Sequence, residues 1–184
     1  MAFKVVLFYR YMKIDDPDSF ASVIKAICLQ LDILGRVLVA MEGLNGTLSG
    51  TVSKVDDCIQ RFIDMDSRLL STDWKTSISD SVPFLDLSIK VVKEIISSGR
   101  EGVQLNEFIR FDSNTFGGIR GTGKHLSPIE FHNGMIKDDS SCVIDVRNEF
   151  EFDIGHFKDA VGLGTYNYAE TFKALDVVLR EKGA

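Results

Sequence analysis

Hydrophobic residues change their period several times along the chain, and each change predicts an element. Phe3 to Tyr11 is dense in apolar residues and reads as a buried strand. Asp15-Asp16-Pro17-Asp18 then opens a helix, with proline in the first turn and acids facing the positive end of the dipole. Phe20, Val23, Ile24, Ile27 and Leu31 recur at helical spacing until Gly35 ends the run. A strand at Val37 to Ala40 leads into the loop Met41-Glu42-Gly43-Leu44-Asn45-Gly46, and a further strand lies around Thr47 to Gly50. Ser53 starts a second helix with Val55, Cys58, Ile59 and Phe62 on one face. Trp74 to Ile78 and Phe84 to Val92 supply late strands, which gives a βαββαβ-like order.

That order predicts a small α+β ferredoxin-like sandwich over residues 1–98, with helices on one face of an antiparallel sheet. Residues 99–123 form a glycine-rich linker: Ser98 to Gly123 holds six glycines and little apolar periodicity. Leu126-Ser127-Pro128 then caps a helix from Pro128 to Ile136. Cys142, Val143 and Ile144 make an apolar strand, followed by a polar exit (Asp145, Arg147, Asn148), an acidic helical turn and a Gly155-His156-Phe157 corner. A final helix is expected from Tyr168 to Glu181. The fold class is therefore α/β, with residues 124–184 as a second unit.

Composition adds limits. A chain of 184 residues, 45% hydrophobic and 26% charged, fits a soluble globular protein of one ordinary domain or two small ones. The apolar start is short and broken by Arg10 and Lys13, so it reads as a first strand, with no membrane segment, and the protein is placed in the cytoplasm. The net charge of −6 is spread over both halves, which excludes a basic nucleic-acid surface in bulk. RNA binding would have to use a local patch. Cys28, Cys58 and Cys142 are an odd number without C-x-x-C spacing, so they signal neither disulfide nor zinc and are assigned to packing.

Several motifs bear on chemistry. Gly118 to His125 (G-I-R-G-T-G-K-H) nearly matches a phosphate-binding loop, but a histidine stands where the magnesium-ligating hydroxyl is needed and no good strand precedes it. Acylphosphatase chemistry is excluded on similar grounds, because Tyr9-Arg10-Tyr11-Met12-Lys13 lacks the glycine of a phosphate cradle. Glu42, Gly43, Asn45 and Gly46 form a tight candidate loop, either a connection stabilised by Asn45 or a site that hydrogen-bonds a nucleotide or a neighbouring domain. Asp145 and Arg147 leave a strand end, where open α/β folds bind ligands; the plainer reading pairs Arg147 with Asp145 or Glu151 to fix the corner at His156. The three histidines fit no metal pattern.

Four ordered segments, FYRYMKIDDPDSF, LGRVLVAMEGLNGTLSG, GKHLSPIEFH and VIDVRNEFEFDIGHFKDA, together resemble the rhodanese-domain tRNA uridine hydroxylases. The resemblance implies a ferredoxin/acylphosphatase-like domain at 1–98 and the N-terminal part of a rhodanese-like domain at 124–184. It implies oxygen-dependent 5-hydroxylation of the wobble uridine, with tRNA as partner and molecular oxygen as co-substrate; the cofactor that would activate the oxygen is left open, and the sequence carries no metal signature. It carries over Glu42, Gly43, Asn45 and Gly46, Asp145, Arg147 and Asn148, and Gly155, His156 and Phe157. The rhodanese cysteine is not carried over: Thr171-Phe172 matches a family segment that precedes it, and the sequence stops at Ala184. The expected alternatives are a non-catalytic tRNA- or protein-binding remnant and a sulfurtransferase fragment. A second unit this small should bury Val143, Ile144, Val146, Phe150, Phe152 and Phe157 against another surface, which predicts self-association or docking of the halves.

Overall fold

The computed structural model describes residues 2–97, 126–137 and 142–182. They fall into two compact units, the first holding residues 2–95 and the second residues 96–97, 126–137 and 142–182. The glycine-rich linker and the G-I-R-G-T-G-K-H stretch lie outside the described residues.

The first unit runs β1 (Phe3–Tyr11), α1 (Pro17–Gln30), β2 (Leu34–Ala40), β3 (Gly43–Thr51), α2 (Val52–Met65), a 3-10 turn (Ser67–Ser71), β4 (Lys75–Ser79) and β5 (Leu87–Val91). The sheet order is β4-β1-β3-β2-β5. The four strands of the βαββαβ pattern are antiparallel, as expected, but β5 joins the outer edge parallel to β2, so the sheet is mixed. The late apolar run was long enough to suggest a strand but carried no signal of its direction.

Local chemistry explains the helix ends. The Asp16 side chain accepts the Ser19 N–H at 3.0 Å, and Pro17 occupies the first turn. The helix stops at Leu31 and Asp32 takes a left-handed φ of 51°, so Gly35 is not its terminator. Gly35 belongs to β2 at φ +143°, where a Cβ would lie 2.2 Å from the Thr47 carbonyl oxygen.

Alternation along the strands builds one core. Val6 and Phe8 of β1, Val37 and Val39 of β2, and Leu44 and Leu48 of β3 face α1 and α2. Phe8 packs on Trp74 at 4.9 Å between ring centroids and meets Phe62 of α2 edge-on at 6.3 Å. Cys28 and Cys58 are buried in this core, as expected, and their contact together with burial pushes the Cys28 thiol pKa up. A thiol held protonated and enclosed is a packing group.

The second unit contains α3 (Pro128–Lys137), β6 (Ile144–Asp145), α4 (Glu149–Ile154), β7 (Val161–Gly162), a 3-10 turn (Tyr168–Glu170) and α5 (Thr171–Lys182). A capping box starts α3: Ser127 N–H donates to Glu130 at 2.8 Å, and Glu130 N–H donates to the Ser127 hydroxyl at 3.3 Å. β6 and β7 are parallel, with Ile144 opposite Val161 and Asp145 opposite Gly162. One expectation fails here: Cys142 is exposed rather than packed. Val146, Phe150 and Phe157 stand exposed in the single chain, which leaves them available to the second surface expected for them. The described β6 is two residues long and has one described neighbour, so it offers these side chains little sheet to pack on.

Candidate functional site

The corner after β6 is held by one guanidinium. Arg147 Nε donates to Asp145 Oδ1 at 3.0 Å, its Nη2 donates to Asp145 Oδ2 at 2.6 Å, and Nη2 also reaches the Gly155 carbonyl at 2.7 Å. Arg147 N–H returns to Asp145 Oδ1 at 3.1 Å. This near-planar fork joins the strand exit to the far end of α4, a geometry that suits arginine and that lysine cannot copy. Of the two pairings open to Arg147, the structure selects Asp145.

Asn148 starts α4, and Glu151 reaches back to its N–H at 3.3 Å and to its side-chain amide at 3.1 Å. His156 follows Gly155, with Nδ1 2.9 Å from the Phe152 carbonyl and its ring stacked flat on Phe152 at 3.8 Å. Because a carbonyl oxygen only accepts, Nδ1 is the donor in this contact. Asp145, Arg147, Gly155, His156 and Phe157 all border an open, mostly apolar trough of about 940 Å³, whose other side includes Phe131 and Met135 of α3. Polar groups fixed at one rim of an apolar concavity make this the candidate site of the second unit. Among the described residues no group of three or more His, Cys, Asp or Glu is placed to hold a metal ion.

The Arg147 guanidinium holds the Asp145 carboxyl below its ordinary range. The ion pair's stabilisation is therefore full above about pH 4 and is lost only as pH falls through that lowered value. Amide exchange at Arg147 and Gly155, followed from neutral pH downward, should show protection persisting past about pH 4 and collapsing below it. Asp145→Asn should abolish that pH dependence; an unchanged profile would contradict the pairing.

The E-G-x-N-G segment is organised differently from the loop expected. Only Met41 and Glu42 form the turn; Gly43, Asn45 and Gly46 belong to β3, with Asn45 between Tyr9 of β1 and Leu38 of β2. The Met41 and Glu42 carbonyls accept the N–H groups of Ile14 and Met12, tying the turn to the end of β1. The Glu42 carboxylate, 3% exposed, accepts the Ile95 N–H at 2.8 Å, and the Asn45 amide donates to the Ile95 carbonyl at 3.1 Å. Two motif side chains thus grip both backbone groups of one buried residue about fifty positions away. No sequence signal marks Ile95, because it takes part through its main chain.

The glycines serve close approach. A Cβ on Gly43, at φ +144°, would sit 2.0 Å from the Arg10 carbonyl oxygen, and one on Gly46 would meet Phe8, Arg36 and Val37 at 2.9–3.0 Å. Of the sequence-derived residues, the structure brings together Glu42 with Asn45, and Asp145 and Arg147 with the Gly155-His156 corner. These are two sets, one in each unit.

Comparison with known proteins adds to this geometry. Residues 3–95 match the family described as UPF0176 acylphosphatase like domain. A protein of Bacillus pumilus called tRNA uridine(34) hydroxylase is 35% identical over 179 residues, which is 97% of this chain and 50% of that protein. Its namesake in Listeria welshimeri is 36% identical over 168 residues, 91% of this chain and 48% of the relative. The one in Staphylococcus saprophyticus is 36% identical over 162 residues, covering 88% and 46%. The chain spans about half the length of these relatives. With a family match over the whole first unit, the chain belongs to the family of the UPF0176 acylphosphatase like domain, and its similarity to proteins named tRNA uridine(34) hydroxylase continues through the second unit.

Proposed function

We propose that this chain acts in the oxygen-dependent 5-hydroxylation of the wobble uridine of tRNA. The first unit would engage the RNA, and the second would supply the front of a rhodanese-like domain. The observation that carries this reading is the 35% identity running over 97% of the chain, through both units, to a protein named for uridine hydroxylation. The locked Asp145–Arg147–Gly155 corner supports it, because that device positions a loop at a strand's C-terminal end and leaves the guanidinium neutralised. Its role is structural support of the trough rim.

Isotope labelling tests the reaction. Cells overexpressing the gene and grown under heavy molecular oxygen should carry the label in their 5-hydroxyuridine-derived wobble nucleosides. Label arriving from heavy water instead would contradict an oxygen-dependent hydroxylation. Sulfur transfer is the competing chemistry and needs a thiolate surrounded by donors. Cys142 precedes the Asp145–Arg147 corner in the chain, and Cys28 and Cys58 are buried, so the 184-residue chain should show no thiosulfate:cyanide turnover. Robust turnover, abolished by Cys142→Ser, would overturn that expectation.

A further inference from the structure

The five strands of the first unit contain no aspartate or glutamate, although residues 1–95 hold 13 acidic groups. All the acids lie on helices, turns and connections. The strands instead carry five cations: Lys4, Arg10, Arg36, Lys75 and Lys90. Strand alternation sorts them by face. Lys4 and Arg10 share the side of Val6 and Phe8, where Lys4 pairs with Asp56 of α2. Arg36, Lys75 and Lys90 fall on the opposite side, which neither α1 nor α2 covers.

The register fixes what accompanies them. One row across the sheet reads Lys75, Leu7, Thr47, Arg36, Ser88 from β4 to β5. The next row reads Tyr9, Asn45, Leu38, Lys90 from β1 to β5. Tyr9 is 47% exposed on a central strand, and Lys75 Nζ stands 6.0 Å from its ring centroid. Arg36 is partly neutralised by Asp86 and lies against Phe84. Lys75, 3.7 Å from Asp73, and Lys90 are both exposed. An exposed ring on an inner strand, the Thr47 hydroxyl in the neighbouring row and lysines on the two outer strands match the demands of unpaired nucleotides, while the Asn45 amide stays committed to the Ile95 carbonyl. Each base offers a π-face for stacking, and each phosphate seeks a cation. Five strands at about 4.8 Å spacing set the outer lysines roughly 19 Å apart, a span of a few nucleotides, with Ile95 seated on Asn45 between them.

We infer that the exposed part of this face, around Tyr9, Lys75 and Lys90, binds single-stranded RNA, with a base stacked on Tyr9 and phosphates on Lys75 and Lys90. This rests on the tRNA reading above and assigns it a surface. The test is fluorescence anisotropy with the full 184-residue chain and a labelled single-stranded oligoribonucleotide, alongside the same sequence as a duplex. Tyr9→Ala should weaken single-strand binding about tenfold, whereas Tyr9→Phe should bind as the wild type does. Lys75→Glu with Lys90→Glu should also weaken it, and should lower the slope of log affinity against log salt by roughly 1.4. Lys25→Glu, the same charge change on the exposed face of α1, should do neither.

Equal affinity for duplex and single strand, or Tyr9→Ala binding as wild type, would overturn the stacking platform. So would equal weakening by Lys25→Glu. If no RNA binds at low salt and Tyr9→Ala instead lowers the mass seen by light scattering, the face is a contact between copies and the inference is wrong. None of these failures touches hydroxylation itself, which is read separately from cellular nucleosides.

Discussion

Gly43→Ala should destabilise the first unit by about 2–6 kcal/mol, from positive-φ strain added to a steric clash. The added methyl would meet the Arg10 carbonyl oxygen at 2.0 Å, and that atom belongs to the central strand β1, which cannot withdraw without breaking its pairing with β3. A loss of this size is a large fraction of a domain's usual stability. Gly46→Ala should cost less, about 1–3 kcal/mol. Two of its three near neighbours are the side-chain ends Phe8 Cζ and Val37 Cγ2, which can shift. Urea unfolding followed by Trp74 fluorescence measures both. A Gly43→Ala variant as stable as wild type would show that the motif's glycine is not there for close packing.

The clamp on Ile95 gives the second large effect. Glu42→Ala leaves a buried N–H without its acceptor and should cost about 1–3 kcal/mol, and adding Asn45→Ala should release the carbonyl as well. Glu42→Gln keeps an oxygen acceptor and should cost much less. The variants also separate from wild type by pH. Burial, with a smaller contribution from Glu94, raises the Glu42 pKa above its ordinary value, while the Ile95 hydrogen bond works against the rise. The native state therefore binds its proton more tightly than the unfolded chain does. Stability from this group is full below about pH 4.3 and declines as pH rises through the raised value. Glu42→Gln should remove that decline, so its stability relative to wild type should improve toward neutral pH, while its advantage over Glu42→Ala, which also lacks the carboxyl, should stay constant. Parallel curves for Glu42→Gln and wild type would contradict a buried, ionisable clamp.

Much of the first unit was legible because its signals are local. The alternation of β1, the Asp16–Pro17 start of α1 and the one-sided apolar stripe of α2 each fix an element from neighbouring residues. What could not be read depends on distant partners. Gly35 looked like a helix stop, yet its role is to lie against Leu48 of β3. Glu42 and Asn45 looked like loop residues, and their common partner is the backbone of Ile95. The direction of β5 is likewise a property of the sheet. In the second unit, the Asp145–Arg147 pair was readable from a spacing of two, and the contact with Gly155 follows from the length of α4. The surface that would cover Phe150 and Phe157, exposed in the single chain, could not be read, because a hydrophobic pattern states a preference without showing what satisfies it. Self-association or docking of that unit remains the corresponding proposal, and light scattering above the monomer mass is its expected result.

Candidate chemistry was least legible where it depends on a whole surface. Even charge in both halves removed bulk basicity from consideration, yet the strand register gathers cations on one face while leaving the net charge unchanged. Sequence counting cannot see that sorting, since residues 36, 75 and 90 are brought together only by pairing across five strands.

The central claim, that this chain serves wobble-uridine hydroxylation, is tested most directly by nucleoside analysis of tRNA from a strain lacking the gene, with and without the gene restored. The 5-hydroxyuridine-derived pool should fall on deletion, under conditions where no second enzyme makes the same modification, and should return with the intact gene. An unchanged pool on deletion under those conditions would contradict the account.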